Sequence, residues 1–418
     1  MSALSLLLVA TGAAAAAAAA IAVPSMPQPK PVAADAHRPA AHWHLSRRRA
    51  ILQQYPQVER LQTRDARTLP ALVAVNAAQV GASVAAGTSN LPNELLVPLG
   101  LLVGGTLSLW QFALLHDVKH GTALLPRSIK RDDVLFAGAI PSLFGYYLYL
   151  RYGHLNHHAD FGSSSLATLF NSEREDFEDG DALFVAHRQS LAGDAADGPP
   201  GFFGAAVGGL GISISRSFYG LFWSERLGWA YNLALYSFSM TFERAALCLN
   251  DKVVAIIGRN AFFPRKPQSF HDTCTAFARV NAATHMALLA LAGPKAILWL
   301  FLAEVGWQLP IHPACAMFVS NHPSLDSPEG GCQPTASIYV SDWYDWLTAF
   351  SNFHTEHHDF PDVPMWNLRE LRDEAAPFYA DETIAGAREG ILPTLRRCFS
   401  GRQFYACSIT AVDDNTGP

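Results

Sequence analysis

The chain carries 16 histidines, and half of them fall in three short runs. His116–Asp117–Val118–Lys119–His120 is an HxxxH, whereas His154–Leu155–Asn156–His157–His158 and His354–Thr355–Glu356–His357–His358 are both HxxHH. Residues four apart lie on one side of a helix, so His116 and His120 can grip one metal ion. In HxxHH the first and last histidines share a face and the middle one sits about 100° round. That offset suits a helix whose side chains reach two neighbouring metals. Imidazole is a good ligand for iron, and eight imidazoles are too many for one ion. Two irons, each with several nitrogen ligands and an open position for oxygen, fit the count. Zinc is the chemical rival, because HxxxH alone is the zinc-peptidase spacing. That motif needs a glutamate beside its first histidine, and the residue there is Asp117. Asp117, Asn156, Glu356 and Asp359 lie in or beside the clusters. Asp117, Glu356 and Asp359 either orient imidazoles by accepting hydrogen bonds from their N–H groups or only balance local charge, and Asn156 is a further candidate for orienting one.

The elements that must hold these clusters are apolar. The chain is 50% hydrophobic and 16% charged, against roughly a quarter charged in an ordinary soluble domain. Apolar segments run at about 70–89, 95–115, 134–150, 201–222, 227–247 and 282–309. Several are interrupted, for example by Arg216, Glu243 and Lys295. Basic residues gather outside them at Arg47–Arg49, Arg127, Lys130, Arg131, Arg265, Lys266, Arg369 and Arg372. Placing all of these on the cytoplasmic side requires two spans before Arg127 and two more between about 200 and 310. The expectation is an all-α integral membrane protein with about four transmembrane helices, interfacial helices and a cytosolic histidine-ligated di-metal cap. The net charge of −6 argues against a nucleic-acid partner. The six cysteines contain no CxxC pair and read as reduced thiols. Ser2 to Val23 is apolar with an alanine run. It reads as a signal or anchor segment, a bipartite organelle leader or a low-complexity tract.

The three clusters, in this order and with apolar segments between them, resemble the membrane fatty acid desaturase and hydroxylase superfamily. Three further stretches are similar to its sphingolipid Δ4-desaturase (dihydroceramide desaturase) branch. "HLSRRRAILQQYPQVERL" at His44–Leu61 resembles the branch's N-terminal signature. "IHPACAMFVSNH" at Ile311–His322 resembles its His-Pro segment, which runs into a further histidine. "NFHTEHHDFPDVPMWNLRELRDEAAPFY" at Asn352–Tyr379 is similar to its third box and following tail. The resemblance implies iron ligands at His116, His120, His154, His157, His158, His354, His357 and His358, with a ninth at His322. It implies a structural role for His312. It divides the chain into a targeting and linker segment (1–43), the N-terminal signature (44–69), the desaturase domain (70–380) and a C-terminal tail (381–418). The sequence departs from the branch at His120–Gly121, at Asn321–His322–Pro323 and across Gln333–Tyr339. These changes fall near where substrate would pass.

The activity implied is O2-dependent desaturation of a membrane lipid, a ceramide or other acyl lipid, by two iron ions. Neither a His-Pro-Gly-Gly haem signature nor a GxGxxG fingerprint is present. Electrons are therefore expected from a separate donor, by resemblance cytochrome b5 with its NADH-linked reductase. The resemblance implies a multi-pass protein of the endoplasmic reticulum membrane, with a plastid membrane as the alternative. Sphingolipid C4-hydroxylation, a carotenoid ketolase or hydroxylase, and a non-catalytic protein of the same fold are the competing readings. An unactivated methylene offers no functional handle, so choosing a carbon requires an apolar tunnel ending at the metals. Phe161, Trp343, Tyr344 and Phe353 are the candidate lining residues. His187, His271 and His285 lie outside any motif and read as surface or packing residues.

Overall fold

A computed structural model describes residues 39–143, 145–155, 158, 224, 226–260, 267–322, 325–326, 332–333 and 335–400. Among these, helix dominates, and the strands are one antiparallel pair, β1 (Leu325–Asp326) and β2 (Cys332–Gln333). The helices are α1 (Pro39–Gln54), α2 (Thr68–Thr88), α3 (Asn93–His120), α4 (Arg131–Ala139), α5 (Gly228–Ile257), α6 (Gln268–Ala292) and α7 (Pro294–Gly306). Shorter helices follow at α8 (Cys315–Ser320), α9 (Asp342–Leu347), α10 (His354–Asp359), α11 (Leu368–Glu374) and α12 (Ile391–Ser400). Residues 161–222, which contain one expected apolar segment and Phe161, lie outside the described residues, as do Asn156, His157 and His187.

Among the described residues, two helices are long and apolar enough to cross a membrane, α2 and α3. They are the two expected before Arg127. α5 and α6 are as long but carry Glu243, Arg244, Asp251 and Lys252, and Asp272 and Arg279, respectively. Large apolar side chains point outward from this body, including Val73, Leu95, Val103, Met286 and Leu291. Such a belt is disfavoured against water. Because α2 and α3 are antiparallel, the end of α3 returns to the start of α2. Thr68 Oγ1 there lies 3.4 Å from the Asp117 carboxylate.

α3 is not a uniform helix. Pro98 interrupts its first turns, and Gly100–Gly104 forms a π-helical turn. The turn packs backbone to backbone against α7: a Cβ on Gly306 would sit 2.4 Å from the Leu101 carbonyl oxygen. A Cβ on Gly104 would sit 2.9 Å from that of Ala303. α3 then ends where Gly121 takes φ +80°, a left-handed stop that suits glycine.

The bend after α4 is held by side chains from three other helices. Asn281 of α6 donates to the carbonyls of Ile140 and Ser142 at 2.9 and 2.6 Å. Glu304 of α7 accepts the Leu143 N–H at 2.6 Å, and Asp251 of α5 accepts that of Gly145 at 3.3 Å. A buried bend needs such partners because its backbone groups have no helix to satisfy them. The bend aims the following segment, Tyr146–Leu148 with a π turn at Tyr149–Gly153, toward the second histidine run.

α1 begins at Pro39, inside the stretch expected to be linker. α12 lies beyond residue 380, yet Thr394, Leu395, Cys398 and Phe399 are buried, and the Phe399 ring lies 5.1 Å from that of Tyr236 on α5. The cysteines Cys248, Cys274, Cys315 and Cys398 are free thiols.

Gly306→Ala should overpack the α3–α7 contact by about 1–3 kcal/mol. It should lower the thermal midpoint in detergent, while Gly81→Ala, with nothing within 4 Å of its added Cβ, should not. Equal midpoints for the two variants would contradict the close approach.

Candidate metal centre

Eight of the nine histidines expected as ligands come together in two adjoining groups. His116, His120, His154, His158 and His357 form the first, and His322, His354 and His358 the second. Within each group the ligand atoms lie within 4.8 Å of one another. The groups meet where the His158 and His358 rings stack at 4.0 Å.

Helical spacing explains the division. His116 and His120 are one turn apart at the end of α3, with ring centroids 4.7 Å apart. On α10, His354 and His358 share a face and both enter the second group. His357 sits on the offset face and enters the first, 4.3 Å from the His116 ring. One six-residue helix thus serves both groups. His154 and His158 likewise share a group, with ring centroids 4.7 Å apart.

The nitrogen geometry fits a cation better than a hydrogen-bond network. Nε2 of His154 lies 2.7 Å from Nε2 of His120 and 3.1 Å from Nε2 of His158. Nε2 of His158 lies in turn 3.0 Å from Nε2 of His357, and in the second group the Nε2 atoms of His322 and His354 are 2.8 Å apart. A ring nitrogen carries either one proton or one in-plane lone pair, so it serves one neighbour well. His154 and His158 each face two. Burial, reinforced by the neighbouring imidazoles, holds His357 well below its ordinary pKa of 6.5. Neutral imidazoles are what a metal requires, and an all-nitrogen donor set suits iron.

The acidic residues near the clusters bind backbone, hydroxyls and distant side chains. Asp117 accepts from the Met365 N–H at 3.2 Å, tying α3 to the segment after the third cluster. Glu356 accepts from Ser337 Oγ at 2.6 Å and from the Tyr339 hydroxyl. Burial pushes its carboxyl up to about 7 against these hydrogen bonds. Asp359, fully buried, pairs with His44 Nδ1 at 2.7 Å and Arg47 Nε at 3.0 Å. His44 Nε2 lies 3.3 Å from Thr335 Oγ1, and its ring lies 5.1 Å from that of His358. Arg47 also donates to the Phe378 carbonyl at 2.7 Å. The N-terminal signature is thereby fastened to the end of the third cluster, a contact that sequence reading missed. It also missed Tyr149, whose hydroxyl lies 3.3 Å from His154 Nδ1. The signal was present in both cases: a histidine and an arginine one turn apart in α1, and a tyrosine one turn before His154.

A cavity of about 90 Å³ opens onto both groups, with His116, His154, His322, His354 and His357 on its wall. Its apolar lining includes Leu109, Phe112, Trp307, Met317, Phe318 and Phe350. The expected lining residues that the structure describes, Trp343, Tyr344 and Phe353, lie elsewhere. Trp343 is half exposed, the Tyr344 hydroxyl turns to the Met317 N–H and the Pro313 carbonyl, and Phe353 packs against Tyr339. These three aromatics lie near the third run in sequence, but none of them lines the cavity at the histidines. His312 pairs with Thr106 Oγ1 at 3.1 Å and accepts from the Ala314 N–H. His271 and His285 are buried packing residues.

A family model described as "Fatty acid desaturase" matches residues 93–385. The sphingolipid delta(4)-desaturase/C4-monooxygenase of Homo sapiens is 36% identical over 101 residues, covering 24% of this chain and 29% of that protein. Its Mus musculus counterpart is 28% identical over 199 residues, covering 47% and 48%. The chain thus spans less than half the length of these curated relatives. No solved structure matches.

Arg47→Met should remove the cationic partner of the Asp359 carboxylate, which has no exposure, and leave it only His44. Removing one partner of a buried pair costs about 3–5 kcal/mol, visible as a lower thermal midpoint. Adding Asp359→Asn should recover part of the loss. A midpoint unchanged by the single substitution would show that the pair does not anchor α1.

Proposed function

The chain belongs to the fatty acid desaturase family, and from that premise we propose that it is an O2-dependent membrane lipid desaturase with two iron ions in its histidine groups. The observation that carries this is the cavity: its walls are mostly apolar, and it ends on imidazoles from both groups. When bound, the iron pair would supply the oxygen-activating chemistry that removes hydrogen from an unactivated methylene. The proposed ligands are His116, His120, His154, His158 and His357 for one ion, and His322, His354 and His358 for the other. His157 holds the same place in its run as His357 does in its own, and we propose it as the ninth ligand.

The chain's own residues do the positioning. Phe112, Trp307 and Phe318 exclude water from the cavity and hold an acyl segment by contact alone. Tyr149 fixes the ring of His154 from its far nitrogen, which sets the direction of Nε2. Glu356 and Asp359 hold α10 at either side of His357 and His358, so the helix cannot turn without breaking buried hydrogen bonds. Asp117 does the same for the end of α3 through Met365.

The proposed substrate is a sphingolipid, dihydroceramide, desaturated at its Δ4 position. The relatives' names, together with the N-terminal signature now fastened to the third cluster, support this choice. Those names also include C4-monooxygenase activity, and hydroxylation is the second reading, since both outcomes follow one hydrogen removal. We place the protein in the endoplasmic reticulum membrane, with about four spans and the metal groups at the cytosolic side. α2, α3 and the outward apolar belt support a membrane setting. A separate donor, cytochrome b5 with its NADH-linked reductase, would supply electrons.

The purified protein should hold about two iron ions per chain, and their chelation should lower its thermal midpoint. His357→Ala should reduce iron content while the protein still inserts. Fewer than about one iron per chain in the unaltered protein would overturn the metal assignment.

Expression in yeast lacking its sphingolipid hydroxylase should yield Δ4-unsaturated long-chain bases. New phytosphingosine would favour the hydroxylase reading. Unchanged sphingoid bases with altered acyl lipids or carotenoids would move the substrate to another class.

A further inference from the structure

A second cavity of about 230 Å³ is walled by Tyr339, Arg372, Asp373, Ala376, Tyr379 and Arg388. It shares no lining residue with the cavity at the histidines. Tyr379 is 2% exposed, yet its hydroxyl has no hydrogen-bond partner. A buried hydroxyl left unmade is costly, and this one stands at the wall of a space that can hold a partner.

On the cavity wall itself two guanidinium groups, Arg372 and Arg388, face one carboxylate, Asp373. Asp359 is paired with Arg47 and His44, and Glu356 already accepts from Tyr339 and Ser337. Arg47 lies over the Tyr379 ring at 5.3 Å but is committed to Asp359 and the Phe378 carbonyl. Arg372 lies over Tyr339 at 5.1 Å and Phe353 at 5.3 Å, and uses Nε and Nη2 on Asp373. Its Nη1 group is not used in that pair. Arg388 is exposed and has no carboxylate partner among the described residues. Asp373, the one acid on the wall, is 58% exposed at its side chain, so water screens much of its charge.

We propose that this cavity is an anion site that takes a phosphate group between Arg372 and Arg388, with the Tyr379 hydroxyl as a third donor. Guanidinium groups match phosphate oxygens in charge and in planar, two-toothed geometry. A phenol hydroxyl adds a donor from a different direction, as a tetrahedral anion requires. The volume holds several water-sized groups at about 30 Å³ each, enough for a phosphate with part of its hydration. Tyr339 belongs both to this wall and to the hydrogen bond on Glu356. A ligand here is therefore in contact with a residue that holds the third histidine cluster.

The test uses the full, iron-loaded chain in detergent, titrated with inorganic phosphate at constant ionic strength with chloride as control. The thermal midpoint should rise and saturate with phosphate. Tyr379→Phe keeps the packed ring and Arg388→Ala changes an exposed side chain, so both should fold. Each should weaken the apparent phosphate affinity by about tenfold, the loss of one charged hydrogen bond. A second arm places the chain in bilayers with or without phosphatidic acid. Stabilisation by that lipid but not by free phosphate would assign the group to a lipid headgroup, and the reverse to a soluble anion. No saturable shift with either, or variants that respond like the parent chain, would overturn the site.

Discussion

Neutral imidazoles gathered with their lone pairs facing inward cannot satisfy one another, and the rest of this structure is organised around that constraint. Nε2 of His154 and of His158 each face two other ring nitrogens. No arrangement of single protons serves such a chain well, whereas a cation at the point of convergence serves every member at once. Without it, the buried rings lose water and gain poor partners. The fold must therefore spend stability elsewhere to keep them together, and the buried carboxylates show where. Asp117, Glu356 and Asp359 each bind a segment remote in sequence, and each tie sits within two residues of a cluster histidine.

The helical hairpin of α2 and α3 supplies the other half of the solution. It runs out and back as two apolar helices, so the polar last turn of α3 arrives beside the N-terminal signature. The π turn at Gly100–Gly104 permits α7 to approach α3 closely, bringing Trp307 to the cavity wall. Polar side chains of α5, α6 and α7 then fix the bend at residues 140–145, which sets the direction of the second cluster. The two histidine groups thus lie where α3, the second histidine run and α10 meet.

Much of this was legible in the sequence because it depends on local spacing. The i, i+4 pairs in the three histidine runs share faces as helical geometry requires, and the offset of His357 into the other group follows from the same angle. The two helices before Arg127 were readable from apolar length. Long-range partners were not. Nothing local to His44 indicates that Asp359, 315 positions away, will accept its hydrogen bond. Nor does the spacing of Leu109, Phe112, Trp307 and Phe318 place them on one wall. The described aromatics expected to line the tunnel, Trp343, Tyr344 and Phe353, failed for the complementary reason. Nearness in sequence does not fix which way a side chain leaves its helix.

α10 shows why the site cannot be understood from its ligands alone. Six residues are too few for a stable helix in isolation, since nucleation costs more than one turn returns. Its sequence, His-Thr-Glu-His-His-Asp, also has little intrinsic helical preference beyond the glutamate. Its form is imposed from outside. Ser337 Oγ accepts the Thr355 N–H at the first turn and donates to Glu356, while His44 and Arg47 close on Asp359 at the last. Three of the eight gathered histidines ride on this one turn and a half. The N-terminal signature and the third cluster are thus a single structural unit despite their separation. A change in α1 acts on the metal groups through α10 without touching a ligand.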